Sequence, residues 1–214
     1  MNCLLVSATA FEISPFLAKY RSADQAGINM DVSVTGIGLI STVYSLMKQI
    51  SIKKPDIIIQ AGIGGCFDKN IALGSVLAVK KDTIADLGVI EQRELKTLFD
   101  MGFIKPNRHP FSNGWLVNRE KVLKSVRLKK VSAVSVNHIT TSRSIIDEYR
   151  KKFDPVIESM EGAALHYVCL LEKIPFLQLR SVSNYVGERN KKKWLIKESI
   201  ENLNNELSNL LAFL

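Results

Sequence analysis

Cysteine is scarce in this sequence, and its scarcity argues against two kinds of framework. Cys3, Cys66 and Cys169 are odd in number and lie far apart, unlike the cysteines of a disulfide framework or the closely spaced ligand pairs of a zinc site. Thiols spread in this way are typical of reduced side chains in the core of a cytosolic protein. We therefore expect a cytoplasmic protein with three unpaired core cysteines.

Long apolar runs are also missing. No apolar stretch reaches the length of about 18 residues that a membrane-spanning helix needs, so we expect no membrane partner. The N-terminal apolar run is short, has no basic region before it and is followed by Glu12, so no signal peptide is expected. Linkers rich in Pro, Gly or Ser and internal repeats are absent too. The 214 residues, of which 46% are hydrophobic, therefore predict one domain over residues 1–214.

Acidic residues are fewer than basic ones, 21 against 29, and the formal net charge is +8. Such an excess of positive charge requires that nucleic-acid binding be considered. The basic residues, however, are scattered in pairs and triples without interleaved aromatic residues, and no recognition-helix motif accompanies them. We therefore expect a solvated basic face and no nucleic-acid partner, with steering of anionic small molecules as the alternative.

Strand patterns alternate with helical patterns along the chain. The strand patterns occur at residues 3–6, 30–34, 57–59, 73–79, 131–136 and 176–183. The helical patterns occur at residues 11–17, 39–50, 115–128, 144–153, 161–171 and about 194–211. This alternation indicates an α/β domain in which helices flank a largely parallel sheet. Residues 105–110 have no such pattern and are expected to form an irregular loop.

Residues suited to chemistry follow the carboxyl ends of several predicted strands. Glu12 follows the first strand, glycine-rich residues 61–65 follow the third, and Thr140, Thr141 and Asn184 follow later ones. Ligands of open α/β sheets bind at this edge, so we expect these residues to converge there. The glycines are expected to form a turn that lets backbone amides approach a ligand. They match neither a P-loop nor a good dinucleotide fingerprint.

Two carboxylates precede the apolar helix predicted near residue 161. Glu158 and Glu161 are three residues apart, Met160 lies between them, and small residues follow at 162–164. A helix that begins near Glu161 would place this anion in its first turn, where the helix dipole is favourable. Taken alone, the stretch favours an ordinary helix entry with a solvated acidic turn. The expected convergence at the sheet edge favours a binding site instead.

In order and spacing, residues 7–12, 61–65, 158–164 and 180–184 resemble the nucleoside phosphorylase/nucleosidase family. The resemblance covers nearly the whole chain and is greatest for the branch of methylthioadenosine/adenosylhomocysteine nucleosidases. Within that branch, residues 180–189 resemble the futalosine hydrolases. The resemblance implies a mixed sheet flanked by helices on both faces and a small-molecule purine nucleoside as substrate. It implies no metal or organic cofactor, and a homodimer or higher homo-oligomer.

The resemblance also implies roles for individual residues. It places Glu161 on the ribose hydroxyls, with Met160 packed against the sugar, and gives Glu12 the role of orienting the attacking water. Arg180 is expected to position the region around Glu12. Phosphorolytic members of the family carry an arginine shortly after the first strand, and residues 8–11 contain none, so water is the expected nucleophile.

Asn184 is expected to read the base. Adenine-cleaving relatives have Asp at this position, whereas a neutral amide can donate to purine N7 or O6 and accept from a ring N–H. That pattern suits a 6-oxopurine such as hypoxanthine, although an amide cannot protonate the base. A purely structural role, as a turn residue after a strand, is the alternative.

Other residues are candidates for further contacts with the substrate. Futalosine carries an aryl carboxylate beyond the ribose 5′ carbon, and we hypothesise that Arg108 or His109 meets it. The remaining candidates are Gly64, Gly65, Thr140 and Thr141.

The resemblance thus predicts hydrolysis of the N-glycosidic bond of futalosine, releasing hypoxanthine and dehypoxanthine futalosine in menaquinone biosynthesis. The enzymatic alternatives are a methylthioadenosine/adenosylhomocysteine nucleosidase and a purine nucleoside phosphorylase. The alternative without catalysis is a basic protein that binds nucleotides or nucleic acid.

Overall fold

A mixed β-sheet forms the centre of the molecule, and helices cover both of its faces. The structure is a computed structural model that describes residues 1–20, 27–92 and 94–211. The strands are β1 (Asn2–Ser7), β2 (Asn29–Val34), β3 (Ile57–Cys66), β4 (Val76–Asp82), β5 (Gly88–Glu91), β6 (Glu94–Thr97), β7 (Phe111–Ser112), β8 (Trp115–Val117), β9 (Lys130–Ser135), β10 (Ile157–Ser159) and β11 (Phe176–Tyr185). The helices are α1 (Ala10–Tyr20), α2 (Leu39–Ile52), α3 (Lys121–Ser125), α4 (Arg143–Phe153), α5 (Gly162–Glu172) and α6 (Ile196–Leu211). The predicted α/β class is confirmed.

Five strands of the sheet close into a ring. Strand β3 pairs in parallel with β1 and β11, and its carboxyl end pairs antiparallel with β10. Strand β10 runs parallel to β9, β9 runs parallel to β4, and β4 pairs antiparallel with β11, which leads back to β3. The sheet is therefore mixed, as the family resemblance implies. It is less parallel than the strand–helix alternation suggests, because β4 runs antiparallel to β11 and β10 runs antiparallel to β3.

Alternating side chains of β1 and β3 divide the apolar core into two layers, because successive residues of a strand point to opposite faces. On one face, Leu5 and Ile59 pack in a cluster with Phe16 of α1 and with apolar residues of α6. On the other face, Ile58 packs with Leu165 of α5 and with apolar residues of α2. The prediction of helices on both faces is confirmed.

The glycine-rich residues 61–65 lie inside β3 and do not form the predicted turn. An added Cβ at Gly62 would lie 2.3 Å from Nη1 of Arg180, and one at Gly64 would lie 2.9 Å from the backbone oxygen of Glu158. Both separations are shorter than non-bonded atoms tolerate. These residues are glycine because neighbouring groups occupy the space that a side chain would need.

Residues 115–128 do not form the predicted long helix. They begin with β8, which forms a hairpin with β7, and only the short helix α3 follows. Asn113 and Gly114 connect the two strands with φ values of 49° and 76°. Asn-Gly between strands is the preferred sequence of a two-residue hairpin turn with both φ values positive. The dipeptide Asn113-Gly114 is therefore the feature of the sequence that indicates a hairpin here and not a helix.

Other predictions about the core and its connections agree with the structure. Cys3, Cys66 and Cys169 are all buried and unpaired. Residues 105–110 contain no helix or strand, as expected for an irregular loop. Within the described ranges, every helix is too short or too polar to cross a bilayer.

Candidate active site

A pocket of about 330 Å³ opens at the carboxyl ends of β1, β3, β10 and β11. The sequence-predicted residues that line it are Glu12, Gly64, Gly65, Met160, Glu161 and Asn184. Two larger clefts, of about 580 and 740 Å³, lie elsewhere and contain none of the predicted residues. The smaller pocket is therefore the candidate active site, because the carboxylates and the amide converge in it.

Four predicted residues lie outside the lining of this pocket. Arg180 is buried next to it, and Thr140 is buried behind Glu158. Thr141 and Arg108 are exposed and do not line the pocket. Because Arg108 is not among the residues that line the pocket, the structure gives no support to its predicted contact with a substrate carboxylate.

Glu12 is held at the start of α1 by hydrogen bonds from four donors. Its Oε2 accepts from Ser7 Oγ at 3.1 Å, from Thr9 N at 3.1 Å and from Thr9 Oγ1 at 2.9 Å. Its Oε1 accepts from the backbone amide of Ile63 at 3.0 Å. The backbone contact three residues back is half of a capping box, so helix capping fixes the side chain. A carboxylate oxygen accepts about two hydrogen bonds, and Oε1 therefore retains a lone pair.

Glu161 is the N-cap residue of α5 and joins two other elements. Its Oε1 accepts from the amide of Gly38, the N-cap of α2, at 3.2 Å. Its Oε2 lies 3.4 Å from Nη2 of Arg180, which also donates to Gln60 Oε1 at 2.8 Å. Glu161 and Arg180 are 5% and 1% exposed. A buried carboxylate is tolerated here because a cation and a helix N-terminus both face it.

Asn184 lies inside β11, and an irregularity in that strand directs its side chain. The pairing with β3 shifts register between Val182 and Asn184, so that Asn184 lies opposite Gly65. Bulges of this kind often lie next to active sites, where they change the direction in which a side chain points. The Asn184 Oδ1 accepts from Ser183 Oγ at 2.9 Å, and its Nδ2 donates to the backbone oxygen of Tyr185 at 3.1 Å. Each amide atom keeps further capacity for a ligand.

Glu158 also lines the pocket, although sequence reasoning gave it no chemical role. It lies on β10, a strand absent from the predicted elements, and is 7% exposed. Its Oε1 accepts from the amide of Thr140 at 3.1 Å, and its Oε2 is buried without a hydrogen-bond partner. Burial raises the pKa of this carboxyl group, and the hydrogen bonds of Thr140 oppose that rise.

Apolar side chains form the outer part of the pocket. Phe11, Ile37 and Ile139 line it and are 65%, 62% and 50% exposed. Trp194 lies beside them and donates its ring N–H to the backbone oxygen of Glu188 at 3.0 Å. The pocket thus has a polar floor and an apolar mouth, as expected for a site that binds a flat, partly apolar molecule.

A buried polar network supports the start of α5 from below. Asp82 is fully buried and accepts from Ser135 Oγ at 3.1 Å and from Gln178 Nε2 at 3.2 Å. Ser135 Oγ in turn accepts from the amide of Ala163, in the first turn of α5, at 2.8 Å. Sequence reasoning missed this network, because no spacing rule links residues 82, 135 and 178.

Burial raises the pKa of Asp82 to about 6, so this group makes stability depend on pH. The raised pKa means that the folded state holds the proton more tightly than the unfolded chain. The tighter binding of this proton stabilises the folded state fully only below about pH 4, and that stabilisation is lost as the pH rises through 6. The total loss in the free energy of unfolding is about 3 kcal/mol. In urea unfolding, the free energy of unfolding of Asp82→Asn is expected to rise by about 2 kcal/mol relative to that of the unsubstituted protein from pH 4 to pH 7.

The control for that titration is Asp147→Asn, because the Asp147 side chain is 66% exposed. Its unfolding free energy is expected to follow that of the unsubstituted protein at every pH. If the curve of Asp82→Asn also ran parallel to it, Asp82 would not be the titrating group.

Comparison with known proteins adds the family. The model of the Phosphorylase superfamily matches residues 23–214. The chain belongs to this superfamily. The resemblance to the nucleoside phosphorylase/nucleosidase family is therefore confirmed. The match covers the segments around residues 61–65, 158–164 and 180–184, and therefore most of the pocket.

Individual members of the superfamily are similar over different lengths. A futalosine hydrolase from Thermus thermophilus is 26% identical over an alignment of 222 positions, gaps included. The alignment covers 98% of this chain and 95% of that protein. A futalosine hydrolase from Streptomyces coelicolor is 29% identical over 159 residues, which cover 74% of this chain and 66% of that one. A 5′-methylthioadenosine/S-adenosylhomocysteine nucleosidase from Helicobacter pylori has the same fold, with a TM-score of 0.84, 16% identity and coverage of 100% and 99%.

Proposed function

We propose that this protein is a nucleosidase that hydrolyses the N-glycosidic bond of futalosine. The products would be hypoxanthine and dehypoxanthine futalosine, as part of menaquinone biosynthesis. The observation that carries the proposal is the neutral amide of Asn184 in a pocket whose acidic lining residues are Glu12, Glu158 and Glu161. The similarity to two futalosine hydrolases supports the same substrate.

Asn184 is proposed to read the base. Its amide can donate to N7 or O6 of hypoxanthine and can accept from a ring N–H. The register shift in β11 and the absence of a side chain at Gly65 leave it facing the pocket. Ser183 and Tyr185 fix the orientation of the amide. In that orientation, the 6-amino group of adenine would face the amide nitrogen donor to donor, at a cost of about 1–3 kcal/mol for each unpaired group.

Glu161 and Met160 are proposed to hold the ribose. Glu161 accepts one hydrogen bond from Gly38 and lies next to Arg180. Its remaining lone pairs can accept the ribose hydroxyl protons. Cleavage of an N-glycosidic bond develops positive charge on the sugar, and a fixed carboxylate beside it stabilises that transition state. Met160, which lines the same pocket, supplies an apolar surface for the sugar.

Glu12 is proposed to bind and orient the attacking water through the free lone pair of Oε1. The donors around Glu12 keep it in place, since Ser7, Thr9 and Ile63 all direct protons at its oxygens. Phosphate is a poorer fit at this position, because residues 8–11 carry no arginine. Arg180 is proposed to act by positioning Glu161, which it contacts, close to Glu12.

The far end of the substrate is proposed to lie in the apolar mouth. Phe11, Ile37 and Ile139 suit the aryl group of futalosine. The described lining of the pocket includes no lysine or arginine for the aryl carboxylate. The contact with Arg108 or His109 therefore stays a prediction, as do the contacts with Thr140 and Thr141.

The experiment that tests this function compares base release from several nucleosides. Futalosine, inosine and methylthioadenosine are each incubated with the protein, with and without phosphate, and the free base is identified by mass spectrometry. We expect hypoxanthine from futalosine at a rate that phosphate does not change. Adenine from methylthioadenosine as the main product would instead support the adenosine-type nucleosidase, and a strict need for phosphate would support a phosphorylase. Salt-sensitive DNA binding without any base release would support a binding protein.

We also propose that the protein is a homodimer or higher homo-oligomer, with the outer face of α2 covered by another copy. Ile40, Tyr44 and Met47 lie at helical spacing on that face and are 85%, 68% and 40% exposed. Tyr167 and Leu171 of the neighbouring helix α5 are also exposed. A continuous apolar surface of this kind is uncommon on a monomer.

Tyr44→Glu is expected to reduce the molar mass in multi-angle light scattering to that of the monomer. A charge buried at the centre of an apolar interface has no partner there. Phe103→Glu is the matched control, because Phe103 is 76% exposed in a loop and should tolerate the charge without a change in mass. A monomeric unsubstituted protein, or equal masses for both variants, would contradict the proposal.

A further inference from the structure

Glu158 and Asn184 flank the same glycine from opposite sides. In the sheet, Gly65 of β3 pairs with Asn184 of β11 on one side and with Glu158 of β10 on the other. Directly paired residues in a sheet project to the same face. The two side chains therefore rise from one face two strand spacings apart, roughly 10 Å, and both line the pocket. A planar base placed between them would present one edge to each.

One oxygen of the Glu158 carboxylate accepts a hydrogen bond, and the other has no partner. Oε1 accepts from the amide of Thr140 at 3.1 Å, which sets the orientation of the group. Oε2 is buried and has no hydrogen-bond partner in the described structure. Buried polar atoms in native proteins are nearly always satisfied, so an unpaired oxygen on a residue that lines the pocket points to a ligand donor.

We infer that Glu158 is a second base-reading residue, whose Oε2 accepts the N1–H of a 6-oxopurine while Asn184 contacts the neighbouring edge that carries O6 and N7. This inference rests on the proposed function and deepens it. Hypoxanthine has a proton on N1 and acceptors at O6 and N7, which complements an acceptor at Glu158 and a donor at Asn184. N1 and N7 lie on neighbouring edges of the purine, with O6 at the corner between them, so one side chain on each side of Gly65 can reach one edge.

The same arrangement rejects adenine. Adenine N1 carries a lone pair and no proton, so it would face the carboxylate oxygen acceptor to acceptor. The carboxylate would be desolvated without compensation, and sites with such unpaired groups discriminate strongly. Two residues on different strands would then share the discrimination, and substitution of Asn184 alone would not remove it.

The first test replaces the acceptor with a donor. In Glu158→Gln, the amide of Thr140 still requires an acceptor, so the new side chain places its oxygen there and its NH₂ group at the position of Oε2. The kcat/KM for inosine divided by that for adenosine is expected to fall by about 10- to 100-fold. The two nucleosides share the sugar, so a general loss of catalytic geometry would lower both values and leave the ratio unchanged.

Glu148→Gln is the matched control. Glu148 lies on α4, away from the pocket lining, and its Oε2 also accepts from a backbone amide, that of Leu95, at 3.0 Å. The kcat/KM for inosine divided by that for adenosine is expected to be the same in Glu148→Gln as in the unsubstituted protein. An unchanged ratio in Glu158→Gln, with hypoxanthine release still measurable, overturns the inference and leaves the proposed function standing. Absence of hypoxanthine release from the unsubstituted protein overturns both.

A second test needs no variant and therefore does not depend on folding of Glu158→Gln. The inhibition constants of adenosine and 1-deazaadenosine are measured with the unsubstituted protein. The deaza compound has C–H in place of N1 and removes the lone pair at nearly constant size. We expect it to bind about 10-fold more tightly than adenosine, because the repulsion by Oε2 is gone. Equal binding, or tighter binding of adenosine, overturns the inference.

Discussion

Glu12→Gln is expected to lower kcat for release of hypoxanthine from futalosine by about 1000-fold, within the range for loss of a general base. The substitution keeps the size of the side chain but removes the charge that we propose attracts and orients the water. All four groups around Glu12 donate hydrogen bonds, so the NH₂ group of glutamine would face a donor whichever way the amide turned. That mismatch should also lower stability, by about 1–3 kcal/mol.

Two measurements separate the chemical loss from the structural one. The melting temperature reports the stability of Glu12→Gln, and the dissociation constant for futalosine reports whether the pocket still forms. Ser7→Ala is a useful companion, since it removes one donor to Oε2 and leaves the carboxylate in place. It is expected to lose about 10-fold or less in kcat. Glu12→Gln that keeps most of its kcat would exclude Glu12 as the group that activates water.

Asn184→Asp is expected to shift the base preference towards adenine, by the share of the discrimination that Asn184 supplies. A carboxylate at this position repels O6 of hypoxanthine and can accept from the 6-amino group of adenine, and its protonated form can donate to N7. The kcat/KM for inosine divided by that for adenosine should fall by about 100-fold or more, as when one buried contact is lost and a repulsive one is gained. The two substrates differ only in the base, so the ratio can be measured by competition in one solution.

The surroundings of Asn184 will affect how far Asn184→Asp shifts the preference from inosine towards adenosine. Its Nδ2 donates to the backbone oxygen of Tyr185, so a carboxylate would place two acceptors against each other. This favours the protonated acid, the form that donates to N7. Asn184→Ala is the control for loss of the side chain alone, and it should lower turnover of both nucleosides. If Asn184→Asp lowered both equally, the amide would have only a structural role.

The position of most site residues could be predicted from sequence, because it follows from the order of strands and loops. Glu12 and Asn184 come near the carboxyl ends of strands, and parallel strands bring such positions together. The beginning of α5 at Glu161 could be predicted for a similar local reason, since an acidic residue followed by small residues precedes an apolar helix. These predictions needed only short-range patterns.

What could not be predicted depends on contacts between distant segments. The glycines at 61–65 resemble a turn in sequence, and only the neighbouring Arg180 and Glu158 show why side chains are excluded from a strand there. Strand β10 has three residues, too few for periodicity to reveal it. The buried network around Asp82 joins three strands and a helix, so no local pattern encodes it. Asn113 and Gly114 are different, because that hairpin signal was present in the sequence.

In the proposed mechanism, a neutral amide reads a 6-oxopurine while fixed carboxylates hold the sugar and the water. The most direct test of this mechanism is a competition assay, in which futalosine and methylthioadenosine are mixed at equal concentration with the protein and both products are followed by mass spectrometry. We expect hypoxanthine and dehypoxanthine futalosine to appear while methylthioadenosine remains intact. Release of adenine ahead of hypoxanthine would contradict it.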